Sequence, residues 1–344
     1  MRIDGLYLNG CATAYPATRV PLSLAVEQGL LHDADESLGD PQVPVHDEDR
    51  PAADLAVDAL EQTLKETGAD PREIDLLLHC GWWHQGWDIW SAAHYVAHRT
   101  DALGALPVNL SQGCNAPMAA LELATRSMLA DPGIRTAAVT ASDAMLAPRV
   151  DRWNLNYGCV HGDAGTALLV QRGPAAGNSF RILSVASTAA PELEEMNRSG
   201  LPPTSGPALR GDGTVDLKAA KKAYLTQYGI QGFTSRSGAS LTACVGRALE
   251  DAGLTGAEER IRTVTVPRLS RKIFDQVYRP LLGPFFGEHK LRWQGGESAH
   301  LGVADVGANI ADTHARGELN PGEVTVVVNA GGGYTWSCLV LEAA

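Results

Sequence analysis

Cys114 stands in the run LSQGCNAPMAALELA (110–124), which reads as a strand end, a tight turn at Gly113 and an apolar-periodic helix. Pro117 suits a first helical turn, where its missing N–H leaves no hydrogen bond unmade. A thiol at that place faces the unpaired N–H groups of the helix start, which favour a nucleophilic thiolate. The same residue also fits a packed core thiol, because free cysteines are commonly buried. The other cysteines, Cys11, Cys80, Cys159, Cys244 and Cys338, lie scattered, mostly among apolar neighbours, with no CxxC pair. That usage points to a reduced, cytoplasmic chain and not to a disulfide scaffold or a zinc site. His79, His84, His94 and His98 crowd one segment, but no HExxH and no ligand spacing surrounds them, so no metal is expected.

The elements that must position these groups alternate in type. GLYLNGCATAY has strand character, AADLAVDALEQTLKETG is helical, and IDLLLHCG is a short apolar run of a buried strand. A helix at SAAHYVAHRTDALG and strands at ALPVNL and TAAVTASDA follow, with a strand over 164–170 after a GDAG turn. The second half repeats the order: FRILSVAST, the helix SRSGASLTACVGRALEDAGL, then IRTVTVP in the slot of IDLLLHC. ESAHLGVADVGANIADTHARGEL takes the slot of the Cys114 helix, and PGEVTVVVNAGGGYTWSCLVLEA closes with a hairpin-like pair. This is an α/β chain of two duplicated halves, 1–172 and 177–344. A Pro- and Gly-rich stretch at 193–222 reads as a surface insertion and a candidate lid.

With 344 residues, 44% of them hydrophobic and 20% charged, the chain can bury a large two-part core. A net charge of −12 leaves no cationic face for a phosphate backbone, so no nucleic-acid partner is expected. MRIDGLYLNG lacks the apolar core of a signal peptide, and no run is long and apolar enough to span a bilayer, so no membrane partner is expected.

Three motifs and the duplicated halves together resemble the thiolase superfamily, in particular the ketoacyl-acyl-carrier-protein synthase III (KAS III) group. SQGCNAPMAALELA is similar to the family's nucleophile segment, which makes Cys114 the acyl-accepting residue. CVHGDAGTALLV, with Gly162, Asp163 and Gly165, resembles its Gly-Asp-Gly-Ala-Gly turn. VNAGGGYTWSCLVL, with Gly331, Gly332 and Gly333, resembles its C-terminal glycine loop. The resemblance implies a five-layer αβαβα thiolase fold and a homodimer. It also implies an oxyanion hole from the Cys114 N–H and an amide of Gly332 or Gly333.

The departures carry as much information. Condensing members have a histidine after a second-half proline and an asparagine at a later helix start, which together decarboxylate malonyl. Here VPRLSR puts Arg268 at the first position, and GGESAHLGVAD puts His300 at the second. Cys114 and His300 then resemble the nucleophile and base of an acyl-transfer pair, with Asp305, five residues on, as the orienting acid. Asp305 as an ordinary helix carboxylate and His300 as a structural replacement are the bland readings. Arg268 is a candidate for binding a carboxylated acyl group or a carrier phosphate, or else a surface ion pair. Trp82, Trp83 and Trp87 of GWWHQGWDIW, with His84, are candidates for lining a pocket or stacking on a sugar, against an aromatic plug at a subunit interface.

The expected function is acyl transfer, without a bound cofactor, from the phosphopantetheine arm of an acyl carrier protein (ACP), or from CoA. The acyl group passes through an acyl-cysteine to a hydroxyl or amine of a small natural-product or sugar acceptor. This resembles the divergent acyltransferase branch of the family. Decarboxylating Claisen condensation is the alternative.

Overall fold

A computed structural model describes residues 1–32, 35–47, 49–173, 179–200 and 214–344. The first half contributes strands β1 (Leu6–Ala14), β2 (Thr18–Pro21), β3 (Gln42–Val45), β4 (Leu76–Cys80), β5 (Leu106–Leu110), β6 (Thr136–Asp143) and β7 (Ala164–Arg172). The second contributes β8 (Phe180–Ala189), β9 (Ile261–Thr265), β10 (Leu291–Arg292), β11 (Val324–Gly331) and β12 (Thr335–Ala343). Strands β2 and β3 pair as a separate ribbon, and the rest run in the order β10-β9-β11-β12-β8-β1-β7-β6-β4-β5. Read inward from either edge, the two halves have the same strand order. They meet where β1 pairs with β8 through only two residue pairs, Tyr7 with Arg181 and Leu8 with Phe180.

The layers follow from which strand faces are apolar. Every residue of β6 is buried, as a strand covered on both faces must be. Helices Ala116–Ala130 and Asp305–Ala315 lie between the two half-sheets, where Met118, Leu121, Met128, Val306 and Ile310 share one core with Val139, Val185 and Leu339. Helices Ala53–Thr67 and Ala92–Arg99 cover the outer face of the first half, and Ile230–Ala252 covers that of the second. The α/β thiolase architecture is therefore present, as five layers helix, sheet, helix, sheet, helix. Small residues set the spacing. A Cβ on Gly165 would lie 2.2 Å from the backbone of Leu55, so helix Ala53–Thr67 rests directly on β7.

One reading needs correction. The stretch 193–222 is not simply a surface insertion. Pro191–Asn197 forms a 3₁₀ segment with Leu193 and Met196 buried, and Leu217–Tyr228 is a helix with Ala220 and Tyr224 buried. These apolar anchors tie both flanks to the second half, while 201–213 lies outside the described residues.

Candidate active site

The nucleophile turn is built by close backbone approach. Gly113 adopts φ +56°, a left-handed conformation that glycine tolerates best. A Cβ there would come 3.1 Å from the Gly332 nitrogen and 3.6 Å from that of Gly333. The glycine loop thus lays its amides against the turn that carries Cys114. At Gly331 a Cβ would sit 2.7 Å from the Asn115 nitrogen, so the loop is also a tight crossing. Asn329 of β11 donates from Nδ2 to the Cys114 carbonyl at 2.9 Å, and Asn115 donates to Ser337 Oγ at 2.9 Å. Asn197 donates to the Gly332 carbonyl, which fixes the loop from its other side.

Cys114 and His300 come together across 186 residues of chain, with Asp305 five residues beyond His300. Cys114 Sγ lies 3.2 Å from His300 Nε2, and His300 Nδ1 lies 2.6 Å from Asp305 Oδ2. Asp305 is fully buried and accepts two further bonds, from the Leu301 N–H at 2.7 Å and the Arg268 N–H at 2.9 Å. Burial alone would lower the affinity of His300 for a proton. Asp305 and the charge of Cys114 outweigh it and hold the imidazole pKa well above the ordinary value. Burial likewise opposes the Asp305 carboxylate, but His300 and Arg268 keep its pKa low. The arrangement is a polarised thiol–imidazole–carboxylate chain, suited to moving one proton between sulfur and an incoming or leaving group.

Beside it stands His161, whose ring centroid is 5.1 Å from that of His300. Its Nε2 lies 3.6 Å from Cys159 Sγ. Burial first, then the positive charge of His300, lower its pKa well below normal, so His161 stays neutral. His161 packs against the catalytic ring without competing for its proton.

Cys114 and His300 open into a cavity of about 570 Å³. Its walls are largely apolar, including Phe233, Leu241, Leu281, Tyr334 and Trp336. A second cavity of about 760 Å³, bordered by Asp35, Glu36, Lys218 and Lys272, shares Asn156, Tyr157, Ile273 and Gln276 with it.

Several sequence candidates lie elsewhere. Arg268 is 1% exposed, and its guanidinium donates to Asn309 Oδ1 at 2.9 Å, to Ser298 Oγ at 2.8 Å and to Asp312. With those donors engaged it is neither a surface ion pair nor a substrate clamp; through its backbone N–H it fixes Asp305. None of Trp82, Trp83, His84 and Trp87 borders the cavity around Cys114. The Trp82 and Trp83 N–H groups are pinned by Asp143 Oδ1 at 2.9 and 3.0 Å, and the Trp82 ring lies against Gly113. Trp83 packs on the cluster of Met145, Val150 and Leu155. Trp87 stacks edge-to-face on Trp90, and the exposed His84 sits 3.8 Å from Asp88. Sequence reasoning missed Asn329, Asn197, His161 and Lys221. Asn329 was findable as the one polar residue in the apolar run VVVN. Lys221, in KAAKKAY, looks like any solvated helix lysine.

The fold and this nucleophile turn define a thiolase-type protein. Residues 249–343 match the family described as 3-oxoacyl-[acyl-carrier-protein (ACP)] synthase III C terminal. The chain is 24% identical over 350 residues, 99% of each protein, to the beta-ketoacyl-[acyl-carrier-protein] synthase III of Thermosynechococcus vestitus. Among solved structures it superposes on ChlB3, described as an acyltransferase, with TM-score 0.88 and 29% identity over 98% of this chain and 97% of that one. On 3-oxoacyl-[acyl-carrier-protein] synthase III from Aquifex aeolicus it superposes with TM-score 0.77 and 17% identity over 98% and 100%. Together these likenesses support a KAS III-like protein of thiolase fold.

Proposed function

We propose that this protein is an acyltransferase that moves an acyl group from an ACP or CoA thioester, by way of Cys114, to a hydroxyl or amine. The observation that carries the reading is the 3.2 Å contact of Cys114 Sγ with a histidine that is itself held by a buried carboxylate. A tethered thiolate attacks the thioester carbonyl, and the oxyanion is held by the amides of Cys114 and of Gly332 or Gly333. Collapse expels the phosphopantetheine thiol, which takes the proton of His300. An acceptor O–H or N–H then gives its proton to His300 Nε2 as it attacks the acyl-cysteine, and collapse returns the Cys114 thiolate. The product is an ester or amide, the imidazolium proton restores the starting state, and no carbanion is formed.

The similarity to ChlB3, described as an acyltransferase, supports this reading. Whole-length similarity to a beta-ketoacyl synthase III favours decarboxylative condensation as the second reading. Against it, Arg268, which stands where the resemblance expects the condensing histidine, turns its guanidinium into the protein toward Asn309, Ser298 and Asp312. Incubation of the acylated enzyme with a labelled malonyl thioester separates the two. The transfer reading expects neither CO2 nor a 3-ketoacyl product, and both appear if the enzyme condenses.

A further inference from the structure

Among the polar groups that line the cavity around Cys114, Lys221 and Tyr278 lie near enough to the sulfur for its charge to act on them, and the transfer chemistry uses neither. Lys221, from helix Leu217–Tyr228, donates through Nζ to Asn156 Oδ1 at 2.5 Å, its one hydrogen bond among the described residues. Its other two N–H groups find no protein acceptor among the described residues. Tyr278 ends a π-helical turn, Phe274–Tyr278, and is 5% exposed. Its hydroxyl makes no hydrogen bond among the described residues. Both side chains line the 570 Å³ cavity, and both lie close enough to Cys114 for its charge to act on them. Burial pushes the Tyr278 phenol up, so it remains a neutral donor, and burial also lowers the Lys221 pKa. Single-turn π-bulges of this kind are frequent at functional sites.

Donors without acceptors, near the sulfur and inside apolar walls, define what the cavity takes. We propose that Lys221 and Tyr278 form a polar subsite for a hydroxyl on the acyl group, close to the thioester carbonyl, so that the preferred donors are hydroxyacyl thioesters. A hydroxyl oxygen accepts from these groups without adding charge. A carboxylate there would bring a second anion beside the Cys114 thiolate and the developing oxyanion. Lys221, held by Asn156 of the first half, sets the direction of its N–H groups, and Tyr278 reaches the same cavity from the π-helical turn.

This proposal rests on the acyl-cysteine reading and is tested separately from it. The rate of mass gain on the intact protein is compared for matched CoA thioesters: butyryl, 3-hydroxybutyryl and succinyl. The hydroxyacyl donor is expected to charge the protein about tenfold faster than butyryl or succinyl, the scale of one hydrogen bond to a charged group. In Tyr278→Phe and Lys221→Met the hydroxybutyryl-to-butyryl ratio falls toward one, and Lys221→Arg restores part of it. Charging by all three donors without preference, or an unchanged ratio in both variants, overturns the subsite and leaves the acyl-cysteine standing. A preference for succinyl overturns it as well. No mass gain from any donor overturns both.

Discussion

Asp305 is the residue whose removal separates position from charge. Asp305→Asn keeps the shape but removes the carboxylate that, against burial, holds His300 protonated. The His300 imidazole is then expected to titrate lower, read by NMR, and acyl transfer at neutral pH to fall by about 10²-fold or more. In linkage terms, the stability His300 contributes is complete below its ordinary pKa and is lost as pH rises through its raised one. Asp143 shifts in the same direction for a different reason, burial of its own charge. It is 1% exposed, and burial lifts its carboxyl to about 7 despite the N–H groups of Trp82 and Trp83. The folded state therefore keeps a proton the unfolded chain has lost, and stability falls as pH rises from about 4 to 7. Asp143→Asn, which still accepts those N–H groups, is expected to gain stability relative to the native protein across that window, measured by thermal melts at pH 5 and pH 8. At this scale the sequence marked Cys114 by its place between a glycine and a helix start, but only the family resemblance favoured a nucleophile over a packed core thiol. His300 and Asp305 were legible only through departure from a family pattern. Arg268 was misread because a charged residue carries no mark of burial until its partners, Ser298, Asn309 and Asp312, are folded around it.

Elements were more legible than contacts, since periodicity is written locally. IDLLLHCG is β4, IRTVTVP contains β9, and each sits second from its edge of the sheet. The flanks of 201–213 were less so: Leu193, Met196 and Tyr224 are too sparse among Pro, Gly and charge to show that they anchor a cavity wall. Packing distance makes its own prediction. Gly165→Ala places a methyl 2.2 Å from the Leu55 backbone, which a rotamer change cannot relieve. Moving helix Ala53–Thr67 off β7 is expected to cost about 1–3 kcal/mol or more, measured by denaturant unfolding.

At the scale of the whole molecule, the ten-stranded sheet ends in the first half at β5. Strand β5 ends the sheet with Leu106 65% and Val108 38% exposed, and Ile89 and Trp87 are exposed as well. An exposed apolar edge is a template for another strand. The homodimer that the family resemblance implies is expected to pair a second copy at this edge. Leu106→Asp with Val108→Asp is expected to convert a dimer into monomers by light scattering; a native protein that is already monomeric contradicts it. Among the described residues no helix is long and apolar enough to cross a membrane.

The account stands or falls on where the acyl group rests. Intact-protein mass spectrometry after mixing with an acyl thioester is expected to show one acyl mass added to the native chain. His300→Ala is expected to retain that mass when acceptor is added, and Cys114→Ala to show none. An unmodified native protein that still produces acylated acceptor, or an adduct that persists in Cys114→Ala, would contradict the acyl-cysteine at the centre of the mechanism.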